Sequence, residues 1–155
     1  MQKIFIPVLY ILFVAFGISC KKNEGCTSKS VDSERAAIQA FATTRGINAT
    51  AATSGIYYEI INPGSGPTPT ATSNISVLYE GALTDGTVFD SRLTTPITFP
   101  LFNAIAGWQL GLPLIKKGGV IKLIIPSSLG YGCQGYASIP ADAILYFEIS
   151  LVDVL

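Results

Sequence analysis

The chain has 155 residues, with ten Lys and Arg against ten Asp and Glu, so its formal net charge is zero. It contains no histidine, which excludes Ser-His-Asp and Cys-His nucleophilic machinery and His-ligated zinc. With no basic run longer than two lysines, there is no electrostatic case for nucleic acid as a partner.

The first stretch does not read as part of a fold. Met1-Gln2-Lys3 carries one positive charge, and residues 4–18 are almost wholly apolar. That run has the length of a signal-peptide core and falls short of the roughly 20 residues of a spanning helix. It ends in Gly17-Ile18-Ser19-Cys20, and polar Lys21-Lys22-Asn23-Glu24 follows. These residues resemble the lipobox of bacterial lipoproteins, with Gly17 where that family prefers Leu. The resemblance implies a signal peptide over 1–19 and lipidation of the Cys20 thiol. It also implies a lipid-anchored place in the bacterial cell envelope, on the periplasmic or surface face of the outer membrane. The competing reading is an uncleaved anchor with an incidental cysteine.

Without Lys3, nine of the ten basic residues remain against ten acidic ones, and the mature length suits one domain with a modest core. Cys26 and Cys133 are then the remaining thiols. They can pair in an oxidising compartment, but Cys26 lies in a segment that reads as a tether, and two cysteines make a poor metal site. No metal and no cofactor are expected.

Residues 20–31, with Gly25, Ser28 and Ser30, read as a lipidated, flexible tether. A short helical extension is predicted over 32–55. Asp32 or Ser33 can cap its helix, Glu34 sits in the first turn, Ala36, Ala37, Ala40 and Phe41 supply an apolar stripe, and Gly46 is the stop. From Ile56 the period becomes alternating. Residues 56–61 form a strand candidate, closed by Asn62-Pro63-Gly64. Ile75, Val77 and Tyr79 alternate with Ser76, Leu78 and Glu80 as a half-buried strand. Asp85-Gly86 is a hairpin turn, returning through Val88 and Phe89.

Residues 97–99 predict another short strand. A short helix over 104–112 places Ile105, Trp108 and Leu112 on one face. Residues 120–125 are an apolar strand, 127–142 a loop rich in Gly and Tyr, and 144–154 a last strand with Leu145, Phe147, Ile149 and Leu151 on one side. The fold class is α+β, with an antiparallel sheet of about five strands wrapped on one short helix and an N-terminal extension helix beside it.

The run Val77–Ser91, with Tyr79, Gly81, Asp85-Gly86 and Phe89-Asp90, resembles the opening block of FKBP-type peptidyl-prolyl isomerases. Ile105-Ala106-Gly107-Trp108, Ile125-Pro126, Leu129-Gly130-Tyr131-Gly132, Ile139-Pro140 and Leu145-Tyr146-Phe147 follow in the family's order. The resemblance covers 56–155 and implies an isomerase domain there. It implies catalytic roles for Tyr79, Phe89, Asp90, Tyr131 and Phe147, and substrate binding by Ile97, Phe99, Ala104, Ile105, Trp108 and Ile139. Three departures bear on affinity. Ala104 stands where many relatives carry Val, and Ile97 stands where an aromatic is frequent. The loop between Tyr131 and Ile139 that would fit over a substrate is short and carries Cys133, Gln134 and Tyr136. Asp90 itself reads either as a solvated strand end or as a buried or half-buried acceptor that orders Tyr79, Tyr131 or Arg92.

The implied activity is peptidyl-prolyl cis-trans isomerisation in envelope protein folding, by a monomer acting on proline-containing polypeptides through desolvation and positioning in an aromatic pocket. Rotation about an amide needs no proton transfer and no metal, which agrees with a histidine-free chain. The alternative is a non-catalytic FKBP-fold chaperone or peptide-binding lipoprotein. A purely structural envelope lipoprotein is the third reading.

Overall fold

The computed structural model describes residues 25–155; the expected signal peptide over 1–19 and the expected lipidation site Cys20 lie outside the described residues. The elements in chain order are α1 (Val31–Thr44), β1 (Thr50–Ala51), β2 (Tyr57–Asn62), β3 (Asn74–Leu83), β4 (Val88–Pro100), α2 (Ala106–Gly111), β5 (Val120–Ile125) and β6 (Leu145–Val154). Six strands form one antiparallel sheet in the order β1-β2-β5-β6-β3-β4. The strand beyond the expected five is the two-residue β1, too short to show a period.

The Asp85-Gly86 turn forms as its sequence demands. The Gly86 backbone is left-handed at φ 94°, Leu83 N–H donates to the Thr87 carbonyl, and the Asp85 carboxylate accepts from Thr87 N–H at 2.8 Å. The strand it feeds departs from expectation. Phe89 and Phe99, read as belonging to two strands, lie on the single strand β4. Its pairing jumps from Tyr79↔Arg92 to Val77↔Ile97, so Leu93–Pro96 bulge away from β3. A bulge keeps a strand continuous while breaking the alternation by which strands are read.

The sheet buries both faces. On the inner face Val77, Leu123, Ile125, Phe147, Ile149 and Leu151 pack on Trp108 and Leu112. Helix α2 approaches closely because Gly107 and Gly111 lack side chains: a Cβ at either would stand 2.4 Å and 2.6 Å from Ile125 and Leu123. On the outer face Ile124, Tyr146, Tyr57 and Ala82 are covered by Ile38, Phe41 and Ala42 of α1.

The extension helix therefore docks on the sheet, but with a different stripe from the one predicted. Its buried residues are Glu34, Ile38, Phe41 and Ala42, while Ala36, Ala37 and Ala40 face solvent. Alanine is small enough to suit either side, so Ile38 and Phe41 fix the register. The cap is Ser30, whose hydroxyl accepts from Ser33 N–H, rather than Asp32 or Ser33. Gly46 takes the left-handed conformation just past the helix end.

Residues 25–30, read as free tether, are fastened to the domain. Cys26 and Cys133 form a disulfide with Cα atoms 5.7 Å apart, and the Ser28 hydroxyl accepts from Cys133 N–H at 3.2 Å. The argument against pairing fails because this segment runs back along the domain, a path that polar composition does not encode.

Candidate functional site

The residues expected at the pocket come together around one open cleft of about 730 Å³. Trp108, 4 % exposed, is its floor. Tyr79 meets the indole edge-on at 5.2 Å, and Phe147 does so at 5.2 Å from another side. Phe99 lies 6.1 Å away, and Phe89 packs edge-to-face on Phe147 at 5.5 Å. Edge-to-face pairs satisfy the ring quadrupoles and hold each ring in one orientation, so the wall is formed before a ligand arrives.

Each ring is placed by sheet register. Gly81 of β3 pairs with Phe147 on β6 and with Asp90 on β4. A Cβ at Gly81 would lie 2.6 Å from the Phe147 ring and 2.8 Å from the Phe89 ring. The missing side chain is the space in which those two rings meet. Ile105 and Ala104, in extended backbone just before α2 rather than inside the helix expected over 104–112, close one end, with Ile97 on the bulged strand nearby. Tyr131 and Ile139, from the loop between β5 and β6, close the other.

Asp90 is exposed, so the buried or half-buried acceptor drawn from its sequence context is corrected. Its carboxylate nevertheless accepts from the Tyr79 hydroxyl at 2.5 Å. A β-strand end keeps the carboxylate in water while Tyr79 reaches out to it from the cleft. Among the described residues no hydrogen bond joins Asp90 to Tyr131 or Arg92; the Arg92 guanidinium donates to the Ser91 carbonyl instead.

Burial, together with the bond to Asp90, pushes the Tyr79 hydroxyl far above the ordinary tyrosine range. The Tyr131 hydroxyl is also raised, chiefly by burial and then by Tyr136 and Asp90. Both remain neutral donors at physiological pH. The indole N–H of Trp108 is buried without a protein partner, leaving a donor at the floor of an otherwise apolar site.

The cleft also contains residues that sequence reasoning did not assign to it: Asn103, Tyr136, Ala137 and Ser138. Tyr136 stacks on Tyr131 with centroids 5.0 Å apart and planes 13° apart. Irregular loop residues carry no periodic signal; the sequence placed Tyr136 on the loop over the substrate without giving it a role in the cleft. Among the described residues, no group of three His, Cys, Asp or Glu side chains is placed to hold a metal ion. The arrangement can hold a small apolar ring, desolvate the adjoining amide and offer hydroxyl donors at the rim.

Comparison with known proteins yields the same picture. Residues 66–152 match the family model described as FKBP-type peptidyl-prolyl cis-trans isomerase. The chain is 46 % identical over 117 residues to the FKBP-type peptidyl-prolyl cis-trans isomerase FkpA of Buchnera aphidicola, an alignment covering 74 % of this chain and 46 % of that protein. It is 40 % identical over 116 residues to FkpA of Escherichia coli K12, covering 74 % of this chain and 42 % of the relative. The chain thus spans less than half the length of these relatives.

Among solved structures, Escherichia coli FkpA superposes with a TM-score of 0.70 at 35 % identity, over 79 % of this chain and 58 % of that one. A peptidyl-prolyl cis-trans isomerase from Pseudomonas syringae superposes with a TM-score of 0.68 at 32 % identity, over 83 % of this chain and 98 % of that one. With its aromatic cleft, sheet order and family match in agreement, the chain belongs to the FKBP-type peptidyl-prolyl cis-trans isomerase family.

Proposed function

We propose that this domain accelerates cis–trans rotation of X-Pro bonds in polypeptides. The carrying observation is the preformed ring of Tyr79, Phe99, Trp108 and Phe147, apolar except for the Trp108 indole N–H at its floor and hydroxyl groups at its rim. Amide resonance sets a barrier of about 18–20 kcal/mol, and an X-Pro bond takes tens to hundreds of seconds to isomerise unaided. Twisting the amide abolishes resonance and its charge separation. A water-poor pocket destabilises the planar, more polar amide relative to the twisted one, which is differential binding of the transition state.

The prolyl ring, seated over Trp108, stays fixed while the preceding carbonyl rotates, so positioning adds to desolvation. The neutral hydroxyls of Tyr79 and Tyr131 supply donors at the rim. Asp90 fixes the direction of the Tyr79 hydroxyl and exchanges no proton with substrate. Each tenfold gain in rate requires about 1.4 kcal/mol, a sum that several such effects supply together. A refolding protein with a proline-limited slow phase tests this reading. The domain should speed that phase in proportion to its concentration, and an unchanged phase at excess domain would overturn catalysis.

A second reading, a prolyl-peptide binding module without turnover, is favoured by Ala104 and Ile97 at the cleft. Smaller or non-aromatic groups at those positions grip a proline ring less tightly. It predicts saturable peptide binding with no acceleration of exchange.

We also propose that the domain works at the bacterial cell envelope, held to the membrane by lipid on Cys20. Supporting this are the Lys3-led apolar run that ends at Cys20 and the polar residues after it. The disulfide between Cys26 and Cys133 suits an oxidising compartment. Proline-containing envelope proteins would be the substrates.

A further inference from the structure

Three contacts from one short N-terminal segment converge on the loop that closes one end of the cleft. Cys26 is bonded to Cys133, two residues beyond Tyr131. Ser28 accepts from Cys133 N–H, and its hydroxyl sits so close to Gly132 that a Cβ there would stand 2.5 Å from it. Glu34, 4 % exposed, accepts from Ser127 N–H at 2.9 Å.

Ser127 opens the 3-10 turn Ser127–Leu129 that leads to Tyr131. The first N–H groups of such a turn have no partner within it, and a carboxylate there makes a strong, charge-assisted bond. The loop has little regular pairing of its own. It is closed by Asp142 N–H donating to the Gly132 carbonyl and by the two bonds between Tyr136 and Ile139.

We propose that residues 26–34 form a clasp that positions the cleft loop, with Glu34 and the Cys26–Cys133 bond setting where the Tyr131–Tyr136 stack stands against a prolyl ligand. The role in catalysis rests on the isomerase reading above; the mechanical role does not. A loop fastened at both Ser127 and Cys133 arrives with its side chains already placed, so ligand binding need not order them. Glu34 and Cys26 are positioning residues: neither lines the cleft. Loosening the clasp should weaken binding at the Tyr131 end and leave the Trp108 floor intact.

The test uses the full chain, oxidised and in detergent, beside Cys26→Ser, Glu34→Leu, Glu34→Gln and the Cys26→Ser/Glu34→Leu pair. For the pair, KM for an X-Pro peptide should rise roughly fivefold to tenfold with kcat within about twofold, as expected when placement rather than the catalytic floor is lost. Amide exchange should quicken across residues 128–142, while emission from Trp108, the single tryptophan, stays unchanged. Glu34→Gln keeps an acceptor for Ser127 N–H and should restore most of the loss seen in Glu34→Leu.

Unchanged KM and unchanged exchange across the loop, with normal Trp108 emission, would overturn the clasp. Should the double variant unfold, reduction of the wild-type disulfide provides the same comparison, and loop exchange that does not respond to reductant overturns the proposal. If the wild-type chain has no isomerase activity, the functional reading fails, and loop exchange alone then decides the clasp.

Discussion

The Tyr79 hydroxyl donates to the Asp90 carboxylate at 2.5 Å although the two are not partners in register: Tyr79 faces Arg92 and Asp90 faces Gly81. The bond is a diagonal one across β3 and β4, within reach of a long aromatic side chain. Removing the hydroxyl should therefore disturb ligand placement more than stability. Tyr79→Phe leaves an exposed carboxylate in water, so it should cost under about 1 kcal/mol of stability. It should lower kcat/KM by about threefold to tenfold, since one net hydrogen bond of about 1 kcal/mol is at stake. Thermal melts and exchange kinetics on the same sample check both halves.

Gly81→Ala should act more severely. Its methyl would enter the space where the Phe89 and Phe147 rings meet, and both rings are held by neighbours. Overpacking of this kind costs about 1–3 kcal/mol. Prolyl-ligand affinity should fall at least about tenfold as the rings tilt, because small misplacements are costly in a preformed site. Titration calorimetry and a urea melt separate the two effects.

Phe89→Ala and Trp108→Leu should part company on stability. Phe89 is half-buried at the cleft edge and Trp108 is buried beneath it. Both substitutions weaken ligand binding. Trp108→Leu should also cost about 2–4 kcal/mol of stability, the range for large-to-small core changes, whereas Phe89→Ala leaves the fold largely intact. Equal affinity for wild type and both variants would mean the cleft is misassigned.

Activity should be flat between about pH 6 and 9, because the Tyr79 and Tyr131 hydroxyls are raised above the usual tyrosine value of about 10. Stability responds higher up. Tyr146, buried beneath α1 and facing Glu148, is pushed up to about 12. A group whose folded pKa is raised holds its proton better in the native state. Its contribution is complete below the unfolded value near 10 and is lost as pH rises through the folded value. Chemical denaturation from pH 7 to 11 should show constant stability to about pH 9 and a decline above 10.

Cys20→Ser should release the protein from membranes without altering the cleft. Fractionation checks it, and a variant that still sediments with membranes would overturn the lipid anchor.

How much of this was legible depended on whether a signal is local. The Asp85-Gly86 turn and the alternation of β3 and β6 are backbone chemistry written in consecutive residues, so the hairpin and sheet could be read directly. Trp108 declared its helix by spacing, but the helix covers Ala106–Gly111, so Ile105 precedes it in extended backbone and Leu112 follows it in a 3-10 turn. The bulge at Leu93–Pro96 was hidden because it breaks alternation inside one strand. Glu34 read as a first-turn acid because its partner, the Ser127 N–H, is 93 residues away. The Cys26–Cys133 bond spans 107 residues, and Tyr136 reaches the cleft only because the loop folds back on Tyr131. Those features depend on tertiary encounters, which no window of neighbouring residues contains.

The central claim, that an aromatic cleft without acid, base or metal turns an X-Pro bond, is tested most directly by NMR exchange spectroscopy on a short X-Pro peptide. With a catalytic amount of the folded domain, the cis–trans exchange rate should rise in proportion to protein concentration, and Tyr79→Phe should reduce that slope. Peptide that binds the cleft yet exchanges at its uncatalysed rate would contradict the account.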